Sequence, residues 1–471
     1  MVVKKGKPNF TEGPIFFRLL LFTLPIIASA LLTTVYHMAD NIVVGQFSGD
    51  ENALAAVGQT GAYSGLLSNI LFGISAGGGV SLAQLFGAKK REEMSRSLHT
   101  SMALAILLGL ALMAFALFAS RPILSMIIAE KNHEALLDKA VLSMTIIAFG
   151  KPALAIYNFG GAARRALGDS KTPLIIGAAS GLANVGLNLV FVICFNMSIA
   201  GVALATVISQ YLSAFAIRIV LSKSSIEGGA FRFSKFKIDK IMLGRVLRLG
   251  VPSAIQFSMF SLANMILASA VSTLPLTSIN GVAIANNIDG ITYSCMNGFT
   301  TAVMTFVGQN YGARKLKRMW RSMAYGLIQV VTIGIAVAAL ELTFADQLCN
   351  LYVGADIANR IEVIAAAKSL MYVILPLYFL CGAMGIFAGF LRGVGKSFLP
   401  MFSSVIAVFS VRITWIYVFV PMYPDSIQWL YLCLPITWAL TIIVNSILVA
   451  IEGKRLKKLA DPKDEPAKVA A

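Results

Sequence analysis

The sequence predicts an all-α integral membrane protein of twelve transmembrane helices, arranged as two six-helix lobes related by a parallel repeat. Of the 471 residues, 57% are hydrophobic and only 13% are charged, whereas a soluble protein carries about 25% charged residues. Twelve helices of ~20 residues need ~240 mostly apolar positions to cross a hydrocarbon core of ~30 Å, and the chain supplies them. In lipid the backbone must satisfy its own hydrogen bonds, so apolar runs of this length are predicted to be helices.

Twelve apolar windows follow one another along the chain. They lie approximately at residues 15–40, 54–85, 98–119, 140–162, 174–195, 200–221, 246–272, 279–309, 320–344, 366–390, 399–420 and 428–451. The five cysteines are odd in number and widely spaced, so neither a disulfide framework nor a metal cluster is predicted.

The basic residues predict the orientation of these helices. The formal net charge is +17, and the positive charge lies in short connections between apolar runs rather than on a nucleic-acid-binding face. If the N-terminus is cytoplasmic, the inside segments hold 32 Lys and Arg residues and the outside loops hold 5. We therefore expect a multi-pass protein of the cell (plasma or inner) membrane with both termini in the cytoplasm, and no nucleic-acid partner.

Two turn sequences occur twice in the same order. Residues 84–90 (QLFGAKK) match residues 309–315 (QNYGARK) at an offset of 225, and residues 165–173 (RALGDSKTP) match residues 392–400 (RGVGKSFLP) at an offset of 227. Since each half crosses the membrane six times, both halves enter it in the same direction, as a parallel repeat does.

The repeat predicts the domain organisation. We expect an N-lobe with spans 1 to 6 at 1–222, a cytoplasmic linker at 223–245, a C-lobe with spans 7 to 12 at 246–452 and a cytoplasmic tail at 453–471. Two facing bundles leave a cavity that rocking can open to either side of the membrane. This organisation indicates a transporter.

The motifs also resemble those of the multidrug and toxic compound extrusion (MATE) family over nearly the whole chain. The resemblance rests on MADNI in the first span, on the two repeated turns, on Asn184 and Asn188 in span five, and on GVALAT at 201–206. It implies cation-coupled export of amphipathic, often cationic, organic compounds by alternating access.

Asp40 is the leading candidate for the coupling group, because an acidic side chain inside a span costs ~2.5–3.5 kcal/mol on insertion scales. Asn184 and Asn188 are spaced i and i+4, so they share a face of span five. A cavity with Asp40 and Thr206 would give these amides partners, and the resemblance implies the same four positions. Alternatively, Asp40 marks a helix end and the asparagines make ordinary interhelical hydrogen bonds.

The coupling ion is predicted to be H⁺ rather than Na⁺, and no cofactor or resident metal is predicted. Sodium remains an alternative at Asp40, Asn184 and Asn188, whose oxygens are hard ligands. The sodium-coupled branch of the family carries acids where this chain reads SMFS at 258–261 and FLCG at 379–382, which favours coupling in the N-lobe. Pro25 is expected either to act as a hinge or to form a static kink.

Three further charges lie inside predicted spans. Asp289 could face the cavity and attract cations, or make a structural hydrogen bond. Lys151 could pair with an acid such as Asp40, or snorkel to an interface. Arg412 is expected to be structural.

The predicted function is secondary active multidrug export of small organic molecules by a protein that is a monomer, contacts membrane lipid and is not an enzyme. The alternative is a lipid-linked precursor flippase of the same superfamily. A flippase would need a cation-lined cavity for a pyrophosphate head group, and Lys151 and Arg412 alone support one. A membrane-embedded enzyme would need His, Asp, Ser or Cys clustered at one depth, and no such cluster is visible.

Overall fold

The computed structural model describes residues 9–47, 53–128, 133–223, 237–352, 359–423 and 426–460. All regular structure in these ranges is helical. The chain divides between Ser261 and Leu262 into two compact units. Most of the predicted linker and the end of the predicted tail lie outside the described residues.

The first unit contains seven helices and most of an eighth. They are α1 Ile15–Phe47, α2 Ala53–Gly87, α3 Arg91–Ile127, α4 His133–Ala148, α5 Lys151–Ala166, α6 Lys171–Leu189, α7 Ser198–Ser222 and α8 Lys240–Val271. A π-helical segment, Val190–Cys194, follows α6 directly.

The second unit contains the end of α8 and the remaining helices. They are α9 Leu276–Gly312, α10 Leu316–Thr343, α11 Ala345–Tyr352, α12 Arg360–Ile374, α13 Tyr378–Gly393, α14 Phe398–Thr414, α15 Ile427–Tyr431 and α16 Cys433–Ala460. Short 3₁₀ segments join α12 to α13 and end the α14 region, where a π-helical segment, Trp415–Phe419, also lies.

The described helices account for the predicted crossings. Ten candidate spans are long and apolar enough to cross a membrane, and α4 with α5, bent by 50° at their break, gives an eleventh. The twelfth predicted window lies in α9, which has 37 residues but carries many Asn, Thr and Ser side chains. Since α9 is enclosed by α10, α12 and α13, its surface need not be apolar on every side. The result is a multi-pass helical membrane protein.

The repeat predicted from the turn sequences is present in the backbone. Lys89 and Arg314, which match in the repeat, both have positive φ, of 57° and 55°. Gly168 and Gly395 also match and also have positive φ, of 86° and 89°. These left-handed residues end the preceding helices, as in Schellman-type caps. The two π-helical segments also occupy matching places, at the ends of α6 and α14.

The turn between α5 and α6 is held by Asp169. Its carboxylate accepts hydrogen bonds from the Thr172 backbone and hydroxyl and from the Arg164 guanidinium. Burial raises the pKa of Asp169, but the hydrogen bonds from Thr172 and Arg164 lower it by a larger amount. The pKa of this carboxyl group therefore lies below its ordinary value. The carboxylate stays charged and fixes the orientation of α6.

Close contact between α1 and α6 positions the candidate site. Gly181 of α6 faces the ring of Tyr36, and a Cβ at residue 181 would lie 1.7 Å from the ring atom Cε2. The Tyr36 hydroxyl donates to the Ala178 carbonyl of α6 over 3.0 Å. Only glycine allows this approach, which brings the outer part of α1 against the polar stripe of α6.

A buried acid and amide cluster in the first unit

Asp40 and the two asparagines come together between α1 and α6. Asp40 is 9% exposed, Asn184 is 6% exposed and Asn188 is fully buried. Asn188 Nδ2 donates to Asp40 Oδ1 over 2.5 Å and lies 3.5 Å from Asn184 Oδ1, a longer and weaker contact. The i and i+4 spacing thus places both amides on the face of α6 that meets the acid.

One atom of this cluster has no partner among the residues that the structure describes. Asn188 Oδ1 is buried and accepts no hydrogen bond from them. A buried amide oxygen without a donor costs about 1–3 kcal/mol, so the cluster can accept a further donor or a cation at this atom. Asn188 Oδ1 and Asp40 Oδ2 together form a place where a positive charge is stabilised.

Thr206 and Pro25 contribute differently. The Thr206 hydroxyl donates to the Val202 carbonyl of its own helix over 2.9 Å. In the described part of the chain it forms no hydrogen bond with Asp40 or the asparagines, so it does not complete the hydrogen-bonded cluster. Pro25 lies inside α1 and is buried.

Lys151 lies elsewhere in the first unit, at the start of α5. Its side chain is fully buried, and its amine donates to the Ser64 hydroxyl over 2.7 Å and to the Ser64 carbonyl over 3.2 Å. Ser68 lies 3.4 Å away. The amine thus bonds serines of α2, and no ion pair within the described residues joins it to Asp40.

Two titratable neighbours of the candidate residues were not predicted from the sequence. His37 Nδ1 lies 3.8 Å from Asp40 Oδ2, and the His37 side chain is 72% exposed. Its i, i+3 spacing from Asp40 was the available signal.

Glu341, in the last turn of α10, is 5% exposed and interacts with half-buried Asp289 in the second unit. Because Glu341 lies near the end of a predicted span, its burial could not be predicted from the sequence.

Arg412 is buried in the second unit, and its Nη1 donates to Asn264 Oδ1 over 2.7 Å. This bond fits the expected structural role. Within the described part of the chain, no group of three or more His, Cys, Asp or Glu side chains could hold a metal ion.

The helices and the cluster define a class of protein: a multi-pass helical membrane protein built from two repeats, with a buried acid inside the first. The MatE family model matches residues 25–190 and 252–418, stretches that begin at two equivalent prolines. The chain belongs to this multidrug and toxic compound extrusion family, which confirms the resemblance of its motifs.

Relatives cover most of the chain. YoeA of Bacillus subtilis (strain 168), a probable multidrug resistance protein, is 25% identical over 419 residues, which are 87% of this chain and 87% of its own. NorM of Thermotoga maritima, also a probable multidrug resistance protein, is 22% identical over 410 residues, 84% of this chain and 83% of its own.

A solved structure shows the same fold. The MOP superfamily transporter from Pyrococcus furiosus superimposes with a TM-score of 0.88, covering 95% of this chain and 98% of its own, at 19% sequence identity.

Proposed function

We propose that this protein is a secondary active multidrug exporter that exchanges a proton for an amphipathic organic cation by alternating access. Asp40 is the group that holds either the proton or the positive charge of the cargo, and Asn184 and Asn188 form the wall of its site. In this proposal the lobes 1–222 and 246–452 are joined by a cytoplasmic linker, both termini are cytoplasmic, and Pro25 lets α1 bend.

The observation that carries the proposal is the burial of Asp40 beside Asn188. A carboxylate in a poorly solvated place needs compensation by a proton or by a cation. The Asn188 amide compensates only one oxygen, Oδ1. Among the residues that the structure describes, exposed His37 lies 3.8 Å from the second oxygen, Oδ2, so this oxygen can exchange its proton for a cationic ligand.

The exchange has a definite energetic consequence. One charge moving through 100 mV is worth about 2.3 kcal/mol, which is about a fifty-fold gradient. If one proton enters while one monovalent cation leaves, no net charge crosses and only the pH gradient drives transport. For an uncharged cargo, the membrane potential adds to the driving force.

A proton suits the cluster better than sodium does. Protonation needs one oxygen, whereas hard metal cations are surrounded by several. The cluster presents the Asp40 carboxylate and the Asn188 oxygen, while the Asn184 oxygen already lies 3.5 Å from the Asn188 amide nitrogen. Sodium coupling is therefore the competing outcome of the experiment.

Transport into everted vesicles tests the proposal. A fluorescent organic cation is supplied with an imposed proton gradient or an imposed sodium gradient, and the parent is compared with Asp40→Asn. We expect proton-driven uptake by the parent and at least a tenfold loss in Asp40→Asn, because an amide cannot release a proton. Asp138→Asn is the control, since Asp138 is an exposed acid paired with Arg121.

Three outcomes would contradict the proposal: equal proton-driven transport by Asp40→Asn, transport driven by sodium alone, or lipid scrambling without cation transport. The last would favour the flippase alternative.

A further inference from the structure

The second unit contains a buried acidic pair on α9 and α10. Thr292 of α9 donates its hydroxyl to Glu341 Oε2 over 2.7 Å, and Asp289 lies one turn before Thr292 on the same helix face. The carboxyl groups of Asp289 and Glu341 are close enough to interact electrostatically. Thr292 is fully buried, Glu341 is 5% exposed and Asp289 is half-buried.

The second oxygen of Glu341 has no partner. Oε1 is buried and accepts no hydrogen bond, and in the ranges that the structure describes neither carboxyl group forms an ion pair with Lys or Arg. Two neighbouring carboxylates in a membrane bundle cannot both stay charged without compensation, because like charges repel and each loses its hydration. A proton or another cation must therefore accompany them.

The internal repeat places different residues at the positions of Asp289 and Tyr378 in the first unit. At the offset of 225 that relates α2 to α9, Asp289 corresponds to Ser64. At the offset of 227 that relates α5 to α13, Lys151 corresponds to Tyr378. In the first unit Lys151 bonds Ser64, and in the second Tyr378 interacts electrostatically with Asp289 and Glu341. The second unit therefore has an acid in the place of Ser64 and a tyrosine in the place of the buried cation Lys151.

The titratable groups near the pair come from α9, α13, α14 and α15. Arg412 of α14 is bonded to Asn264. The neighbouring titratable groups are Cys295 of α9, Tyr378 and Cys381 of α13, and Tyr431 of α15.

We propose that Asp289 and Glu341 form a second proton-binding site, inside the second unit and separate from Asp40. The proton resides on Glu341 Oε1, while Thr292 holds Oε2. A proton needs only this one free oxygen, whereas a metal ion is surrounded by several oxygens, and Oε2 already accepts a hydrogen bond from Thr292. The site goes beyond the exchange proposed at Asp40 and does not depend on it.

Infrared difference spectroscopy of the purified full-length protein tests this site directly. The pH is stepped without substrate, and the C=O stretch of protonated carboxyl groups is followed with glutamate carrying a ¹³C-labelled carboxyl group. We expect a buried, protonated glutamate band in the parent that shifts with the label, is lost in Glu341→Gln and moves to a different pH in Asp289→Asn.

The variants separate this site from the one at Asp40. Gln at 341 keeps an oxygen that accepts from Thr292, which preserves the local fold, and Asp289→Asn probes the pair from the other helix. Asp40→Asn should leave the labelled band unchanged, even if it also leaves transport unchanged. Glu362→Gln is the matched control, since Glu362 is an exposed acid of α12. The proposal is overturned if Glu341→Gln retains the band, or if sodium at constant pH displaces it.

Discussion

Asp40 and Lys151 are buried charged residues of the same unit, and they are stabilised by different partners. Asp40 accepts a hydrogen bond from one amide and keeps an oxygen near the exposed His37. Lys151 is fully enclosed and donates to the hydroxyl and carbonyl of Ser64. A group that must exchange its partner needs a free atom and access, and Asp40 has both. Lys151 has neither, which favours a structural role in this conformation.

Substitution of Lys151 separates the effect of its charge from that of its volume. In Lys151→Met we expect thermal stability in detergent equal to or above that of the parent, because Met fills a similar space and removes a buried charge that has no acidic partner within the described residues. Ser68 still donates to the Ser64 carbonyl over 2.8 Å. Lys151→Ala should lose about 2–4 kcal/mol, because it leaves a cavity. Equal destabilisation of both variants would show that the bonds to Ser64 dominate.

At the scale of helices, the site depends on the contact between α1 and α6. Asp40 is on one helix and the asparagines are on the other, so their hydrogen bond reports the spacing of the two axes. Gly181 lies two turns before Asn188 and permits that spacing. A substitution remote from the ionisable group can therefore disrupt it.

Two glycines of α6 give a matched comparison. Gly181→Ala should destabilise the protein by about 1–3 kcal/mol, since the added methyl group overlaps the Tyr36 ring. It should also weaken proton-coupled transport by shifting α1 away from Asn188. Gly186→Ala meets nothing within 4 Å and should stabilise α6 by about 0.5–1 kcal/mol. Thermal melting compares them, and an equal response would contradict this packing.

The whole molecule illustrates which features a sequence alone can predict. The repeated turns were predicted correctly because left-handed caps restrict residue choice, as at Gly168 and Gly395. The contact between Asp40 and Asn188 could be predicted from the sequence because a rare intramembrane acid needs a polar partner. The partner of Lys151 could not be predicted, since serines are common in spans and a contact between two helices leaves no periodic signal in the sequence.

Other features depend on tertiary contacts. The role of α9 as an enclosed, polar helix follows from its neighbours, and buried Glu341 of α10 accepts a hydrogen bond from Thr292 of α9. An acid near the end of a predicted span is expected to face solvent, and only the position of the adjacent helix shows that it is buried. The family match then supports transport for the chain as a whole, while the proposed coupling rests on the first unit.

Proton release by the purified protein tests that coupling most directly. Tetraphenylphosphonium is added to the protein in weakly buffered detergent, and the proton is followed with a pH-sensitive dye, with Asp138→Asn as a control. We expect about one proton released per cation bound by the parent and by the control, and none by Asp40→Asn. Undiminished release by Asp40→Asn, with cation binding intact, would contradict the assignment of Asp40 as the exchanging acid.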